Sequence, residues 1–296
     1  MYRRILVPLD GSADAETVLD HLQPLLAAGG EVILLHVLPE PHPATGEGPE
    51  AWLAVQRGAD DYLSSVLDRG LQVPIKTFVD VGDPGDRIVR VASVVKADLV
   101  ALVTHAWRGL PRVGLGDVAR TVLRRAKPAV LFVPPWRPPA QRLRPKFLFP
   151  LEGPGWSRTE VDPIIPVAAA RRAEVVLLHV EAPETDPLEG RRTDAPLSLA
   201  ADDRRRKYRE AADYLVSRGV EAQALTATGD PARQILEQAK SLEADLVAMS
   251  THGRVGLERL VAGSVAESVI RLAGCPVLIL RGAGVRSRAL ANGSKA

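Results

Sequence analysis

The segment Met249-Ser250-Thr-His-Gly253-Arg-Val-Gly256-Leu-Glu-Arg-Leu-Val-Ala-Gly263-Ser264-Val265 holds the densest chemical information in the chain. It follows an apolar run and leads into a helix predicted to begin near Gly263. A glycine-punctuated loop in that place turns backbone N–H groups toward an anion, and the helix terminus adds partial positive charge. Gly263 permits close approach of the backbone, and Ser264 offers a hydroxyl to a phosphate oxygen. Two other phosphate-binding patterns are missing. No GxxxxGK[ST] loop occurs, which argues against a P-loop NTPase, and no GxGxxG follows the first strand, which argues against a dinucleotide dehydrogenase.

Other reactive side chains carry less. His105 and His252 flank glycine-containing loops without a nucleophile or an orienting carboxylate nearby in sequence, so both read as loop histidines. His36 and His179 close apolar runs and read as strand-end residues. None of the six histidines has HxxxH or HExxH spacing, so no dedicated metal site is expected; magnesium would arrive only with a nucleotide. Ser264 has no evident base, and no catalytic residue is assigned. Any enzyme activity is expected to be limited to weak ATP hydrolysis or autophosphorylation. Arg204-Arg-Arg-Lys207 reads as a solvated helix face. The single cysteine, Cys275, excludes an intramolecular disulfide.

The elements that position the loop occur twice. Gly82-Asp-Pro84 recurs as Gly229-Asp-Pro231, Ala97-Asp-Leu-Val-Ala101 as Ala244-Asp-Leu-Val-Ala248, Thr104-His105 as Thr251-His252, and Gly116 as Gly263. Leu35-His-Val37 pairs with Leu178-His-Val180, and Pro8-Leu-Asp10 with Pro150-Leu-Glu152. A repeat of this length is a duplicated domain. Between the copies, Pro134-Pro-Trp-Arg-Pro-Pro139 to Arg144-Pro145 is proline-rich and basic, an extended linker. The expected domains are 1–137 and 145–282, with a linker at 138–144 and a flexible tail at 283–296.

In the first copy, strands are expected over Arg4–Leu9, Glu31–Leu38, Val73–Val81, Asp98–Thr104 and Ala129–Val133. Helices are expected over Ala13–Ala28, Ala51–Asp68, from Pro84 behind an Asp83 cap, and over Asp117–Arg125. The second copy repeats the order. Apolar strands alternating with helices imply a parallel sheet covered on both faces, an open doubly wound α/β fold. Ligands on such sheets sit at the carboxyl ends of strands, where strand order reverses.

Composition sets the class. The 296 residues are 46% apolar and 25% charged, with a formal net charge of +2. That balance advertises neither a nucleic-acid nor a membrane surface. No apolar run approaches a bilayer span, and the N-terminus turns polar too soon for a signal peptide. A cytoplasmic protein is expected.

Taken together, these motifs resemble a tandem member of the universal stress protein family, over nearly the whole chain, twice. The nucleotide-binding members of that family show Gly-x-x-Gly, nine residues, then Gly-Ser/Thr. The second copy reads Ser250-x-x-Gly253, nine residues, then Gly263-Ser264, with Ser250 in place of the first glycine. Cys275-Pro276-Val-Leu-Ile adds to the likeness. The resemblance implies two five-stranded, Rossmann-like sheets packed as an internal pseudo-dimer, with Ala129–Val133 and Val277–Leu280 meeting across it. It leaves a homodimer of chains and an unknown protein partner open.

The resemblance also implies a nucleotide site in the second copy. Pro150, Leu151 and Glu152 would end strand one beside the base and ribose, Glu152 standing where the family has aspartate. Val180 would meet the adenine edge through its backbone. Met249, Ser250 and Gly253 would line the ribose and phosphate approach, and Gly263, Ser264 and Val265 would hold the phosphates. The first copy keeps Asp10 and Val37 but reads Val103-Thr-His-Ala106, nine residues, then Gly116-Asp117. Ala106 replaces a glycine and Asp117 the serine. A carboxylate at 4 Å from a phosphate charge costs about 4 kcal/mol at an effective dielectric near 20, or roughly three decades in affinity. This second site is therefore weak or lost. The expected function is a stress-response regulatory module that binds ATP or AMP in its C-terminal domain. The alternative is a nucleotide-independent, chaperone-like scaffold with vestigial pockets. A nucleotide-activating enzyme is disfavoured, because no Ser-Gly-Gly-x-Asp-Ser or His-x-Gly-His sequence is present.

Overall fold

A computed structural model describes residues 1–41, 49–68, 73–104, 115–153, 155–181, 199–250 and 263–281. The chain divides into two compact units, Met1–Ala140 with Ile270–Leu278, and Gln141–Val269 with Ile279–Ala296.

The first repeat runs β1 (Tyr2–Leu9), α1 (Ala13–Glu16), β2 (Leu26–Leu38), α2 (Pro49–Leu67), β3 (Ile75–Val81), α3 (Pro84–Val94), β4 (Leu99–Val103), α4 (Asp117–Arg125) and β5 (Ala129–Val133). The second runs β6 (Lys146–Leu151), α5 (Arg158–Val161), α6 (Ile165–Arg171), β7 (Glu174–Glu181), α7 (Leu199–Ser217), β8 (Glu221–Thr228), α8 (Pro231–Ser241), β9 (Leu246–Ser250), α9 (Ser264–Leu272) and β10 (Val277–Leu280). Strand order is β3-β2-β1-β4-β5 in the first repeat and β10-β9-β6-β7-β8 in the second. The registered pairs β1–β2, β1–β4, β6–β7 and β6–β9 are all parallel. Order thus reverses between β1 and β4, and again between β6 and β9, which opens a crevice at the carboxyl ends of those strands. β4, β5, β9 and β10 are buried along their whole length, as strands covered on both faces must be.

Two of the repeated motifs have evident structural work. The Ala-Asp-Leu-Val-Ala aspartates fasten the amino ends of neighbouring strands. Asp98 Oδ2 accepts the backbone N–H groups of Arg3 at 2.9 Å and Arg4 at 3.1 Å, and Asp245 Oδ2 accepts that of Lys146 at 2.9 Å. The Gly-Asp-Pro turns start α3 and α8. Gly82 and Gly229 take φ of +133° and +141°, a conformation that favours glycine. Asp83 and Asp230 then accept the N–H groups of Asp86 and Arg233, each at 2.9 Å, with proline at the first helical position.

The helix expected over Ala13–Ala28 is broken. Pro24 lacks an N–H and crowds the carbonyl four residues back. Beyond the four residues of α1 the chain tightens into 3-10 turns at Thr17–His21 and Gln23–Leu25, and β2 begins at Leu26 rather than Glu31. The extra residues of β2 are absorbed where its register against β1 jumps, from Tyr2 opposite Leu26 to Arg4 opposite Glu31. In the second repeat Pro163 and Pro166 accompany a similar break, α5 and α6 being separated by a 3-10 turn at Asp162–Ile164. Elsewhere the third strand starts at Ile75, two residues later than expected, whereas α4 and β5 have the expected bounds.

Candidate functional site

A cavity of about 300 Å³ opens in the second unit at the β6/β9 reversal. Pro150 and Leu151 end β6 beneath it, followed by Glu152 and Gly153. Val180 comes from β7, Met249 and Ser250 from the end of β9, and Ser264 and Val265 from the first turn of α9. Glu160 of α5 and Pro231 and Ile235 of α8 complete the lining. The volume lies at the lower end of the range for small-molecule sites, roughly 300–1,000 Å³.

Eight of the residues assigned from sequence are thereby brought together: Pro150, Leu151, Glu152, Val180, Met249, Ser250, Ser264 and Val265. Gly263 is not part of the lining. Its carbonyl accepts the Glu267 N–H at 3.2 Å, so it stands as the residue that opens α9. The N–H groups of the helix's first turn have no acceptor within it. Gly253 lies outside the described residues, as do His252 and Arg254. Gly153, Glu160, Pro231 and Ile235 also line the cavity and are not among the site residues assigned from sequence.

The wall between β6 and α7 is a packed cluster. Tyr208, 1% exposed, donates its hydroxyl to the Gly153 carbonyl at 2.7 Å and stacks on His179 with ring centroids 4.3 Å apart. Gly153 has φ +87°, so this bond fixes the left-handed turn that presents Glu152. Burial lowers the His179 pKa below its ordinary value and, with the charges of Glu160 and Glu152, raises that of Tyr208 above its own. Glu160 is buried, and desolvation pushes its carboxyl up to about 7. Hydrogen bonds from the backbone N–H groups of Glu152 and Ser157 pull the other way, and the Glu152 charge adds to the rise. Partial burial also raises the Glu152 carboxyl above the ordinary range.

The first repeat places its counterparts differently. Gly116 opens α4, its carbonyl accepting the Arg120 N–H at 2.9 Å. Asp117 follows as a fully exposed carboxylate that pairs with Arg120 at 3.1 Å. Arg120 also donates to the Leu115 carbonyl at 2.9 Å. Asp10 accepts the Ser12 hydroxyl at 2.6 Å, and Ser12 in turn caps α1. Val37 is half-buried at the end of β2, and Ala106 lies outside the described residues. His36 is held at its strand end, donating Nδ1–H to the Leu9 carbonyl at 2.8 Å and meeting Tyr62 edge-on. Among the described residues no group of three or more His, Cys, Asp or Glu could hold a metal ion, and no helix is long and apolar enough to cross a membrane.

Known proteins with this pattern form a coherent set. The Universal stress protein family matches the chain twice, over residues 1–134 and 146–281. A universal stress protein of Methanocaldococcus jannaschii is 32% identical over 145 residues, covering 48% of this chain and 84% of its own length. One from Mycobacterium tuberculosis is 29% identical over 234 residues, covering 76% of this chain and 71% of its own, and so spans both repeats. The crystal structure of a universal stress protein from Archaeoglobus fulgidus superposes with a TM-score of 0.69 at 19% identity, covering 94% of this chain and 96% of that one, a likeness of fold. With both halves matched and the Rossmann-like α/β architecture present in each, the chain belongs to the universal stress protein family as a tandem member.

Proposed function

We propose that the C-terminal repeat binds an adenine nucleotide, ATP or AMP, and that the protein is a regulatory module whose surface or partner affinity responds to that ligand. One observation carries this reading. The cavity at the β6/β9 reversal joins a carboxylate at the strand end, the Val180 edge and the serine-bearing first turn of α9. A base and ribose fit the first two, and the anionic tail fits the last, where helix N–H groups and the Ser264 hydroxyl favour negative charge. Magnesium, if it takes part, enters with the nucleotide. In the first repeat, Asp117 at the equivalent helix start opposes a phosphate, so we assign that repeat a structural role.

Titration calorimetry with ATP and AMP tests this directly. About one site per chain is expected, with thermal stabilisation that follows ligand concentration. Two equal tight sites would refute the asymmetry. No heat and no thermal shift with either ligand would leave the nucleotide-independent scaffold as the better reading.

A further inference from the structure

Glu152 and Glu160 share one wall of the cavity, and no lysine or arginine is among the described residues that line it. Glu160 is 4% exposed, yet it reaches the cavity from α5. The groups around it are accounted for. Glu152 faces it from the end of β6, and Tyr208 backs it from α7, stacked on His179 of β7. Beyond them Arg204 of α7 lies 3.8 Å from Glu181 of β7. Burial holds the His179 pKa below its ordinary value and the Tyr208 pKa above its own, and both residues are retained in the Glu160→Gln variant that serves as reference. The first repeat carries Asp10 in place of Glu152 and then the same residue types in the same order, Glu16, His36 and Tyr62, with Glu16 also buried.

Two carboxylates in one poorly solvated wall do not both ionise cheaply. Protonated, Glu160 presents a neutral O–H donor; ionised, it sets a second negative charge against any anionic ligand. We propose that Glu160 determines ligand class in this pocket: its neutral form admits an anionic adenine nucleotide, and its ionised form selects against one while tolerating an uncharged nucleoside. This rests on the nucleotide reading above and adds a pH response to it. The carboxyl titrates at about 7, so the response falls in the physiological range.

The test is calorimetric titration of the full chain with AMP and with adenosine at pH 6 and pH 8, for wild type and Glu160→Gln. Wild-type affinity for AMP is expected to fall about tenfold from pH 6 to pH 8 relative to Glu160→Gln, the ratio removing the ligand's own titration. Adenosine affinity should change less than about threefold in either protein. A ratio for AMP that stays constant with pH overturns the inference and leaves the nucleotide reading intact. Absence of AMP binding to wild type even at pH 6 overturns both. A second measurement does not depend on the variant folding. AMP binding to wild type at pH 8, where the free ligand is already ionised, compared in buffers of different ionisation heat, should take up close to one proton, and no uptake overturns the proposal.

Discussion

The Tyr208 hydroxyl and the Gly153 carbonyl, joined at 2.7 Å, tie α7 to the turn that presents Glu152. Tyr208→Phe keeps the stacked ring on His179 and removes only that donor. The expected cost is about 1 kcal/mol in urea unfolding, the usual net worth of such a bond. A loosened turn should also weaken nucleotide binding a fewfold. Unchanged affinity together with the stability loss would confine Tyr208 to a packing role.

Glu160→Gln should stabilise the protein at neutral and alkaline pH. The carboxyl titrates at about 7 in the fold against an ordinary 4.5, so the folded state holds a proton that the unfolded chain gives up. Below about pH 4.5 both states are protonated and nothing is lost. As pH rises toward 7 the unfolded state ionises first and wild-type stability declines, by up to about 3 kcal/mol above pH 7. The difference between variant and wild type, from denaturation at pH 4.5 and pH 8, should therefore open with pH. A difference that is flat or opens toward acid contradicts the buried-carboxyl assignment.

Ser264→Asp copies into the second repeat the residue that the first carries. Nucleotide affinity should drop by up to about three decades, from roughly 4 kcal/mol of repulsion. Folding should hardly change, since Asp117 already sits exposed at the same place in α4. Retention of full affinity would remove the α9 terminus from the site.

Asp245→Ala tests the strand fastening. The buried carboxylate accepts the Lys146 N–H at 2.9 Å, and hydrogen bonds to charged groups contribute about 1.5–3 kcal/mol. A loss of about 2 kcal/mol in urea unfolding is expected. The Asp230→Ala cap variant should cost nearer 1 kcal/mol, because the Arg233 N–H it satisfies lies at an exposed helix start.

What the sequence discloses depends on how local the physics is. Gly-Asp-Pro announces a positive φ, a cap and a proline start within three residues, and the fold builds all three. The break after Glu16 was equally local, since Pro24 stands in plain view, but the apolar spacing of Val18, Leu22, Leu25 and Leu26 masked it. Glu160 is another matter. A glutamate in a short polar stretch reads as solvated, and only the packing of α7 and the β6 turn buries it. Tyr208 was hidden by the basic run beside it. The signal that reveals it is the buried stripe Tyr208, Ala211, Ala212 and Leu215, spaced three, four and seven residues along one helix face. Glu16 and Glu160, and Tyr62 and Tyr208, also stand at the spacing that relates the two repeats.

Asp98 and Asp245 grip the amino ends of β1 and β6, and in the second repeat the cavity opens at the other, carboxyl end of β6. In the second repeat, strand anchorage and the proposed ligand site therefore occupy opposite poles. Asp117 and Ser264 open helices beside equally well-buried strands, β4 and β9, within a single polypeptide. On the proposed reading, a duplicated architecture of this kind lets one copy go without a ligand and keep its shape.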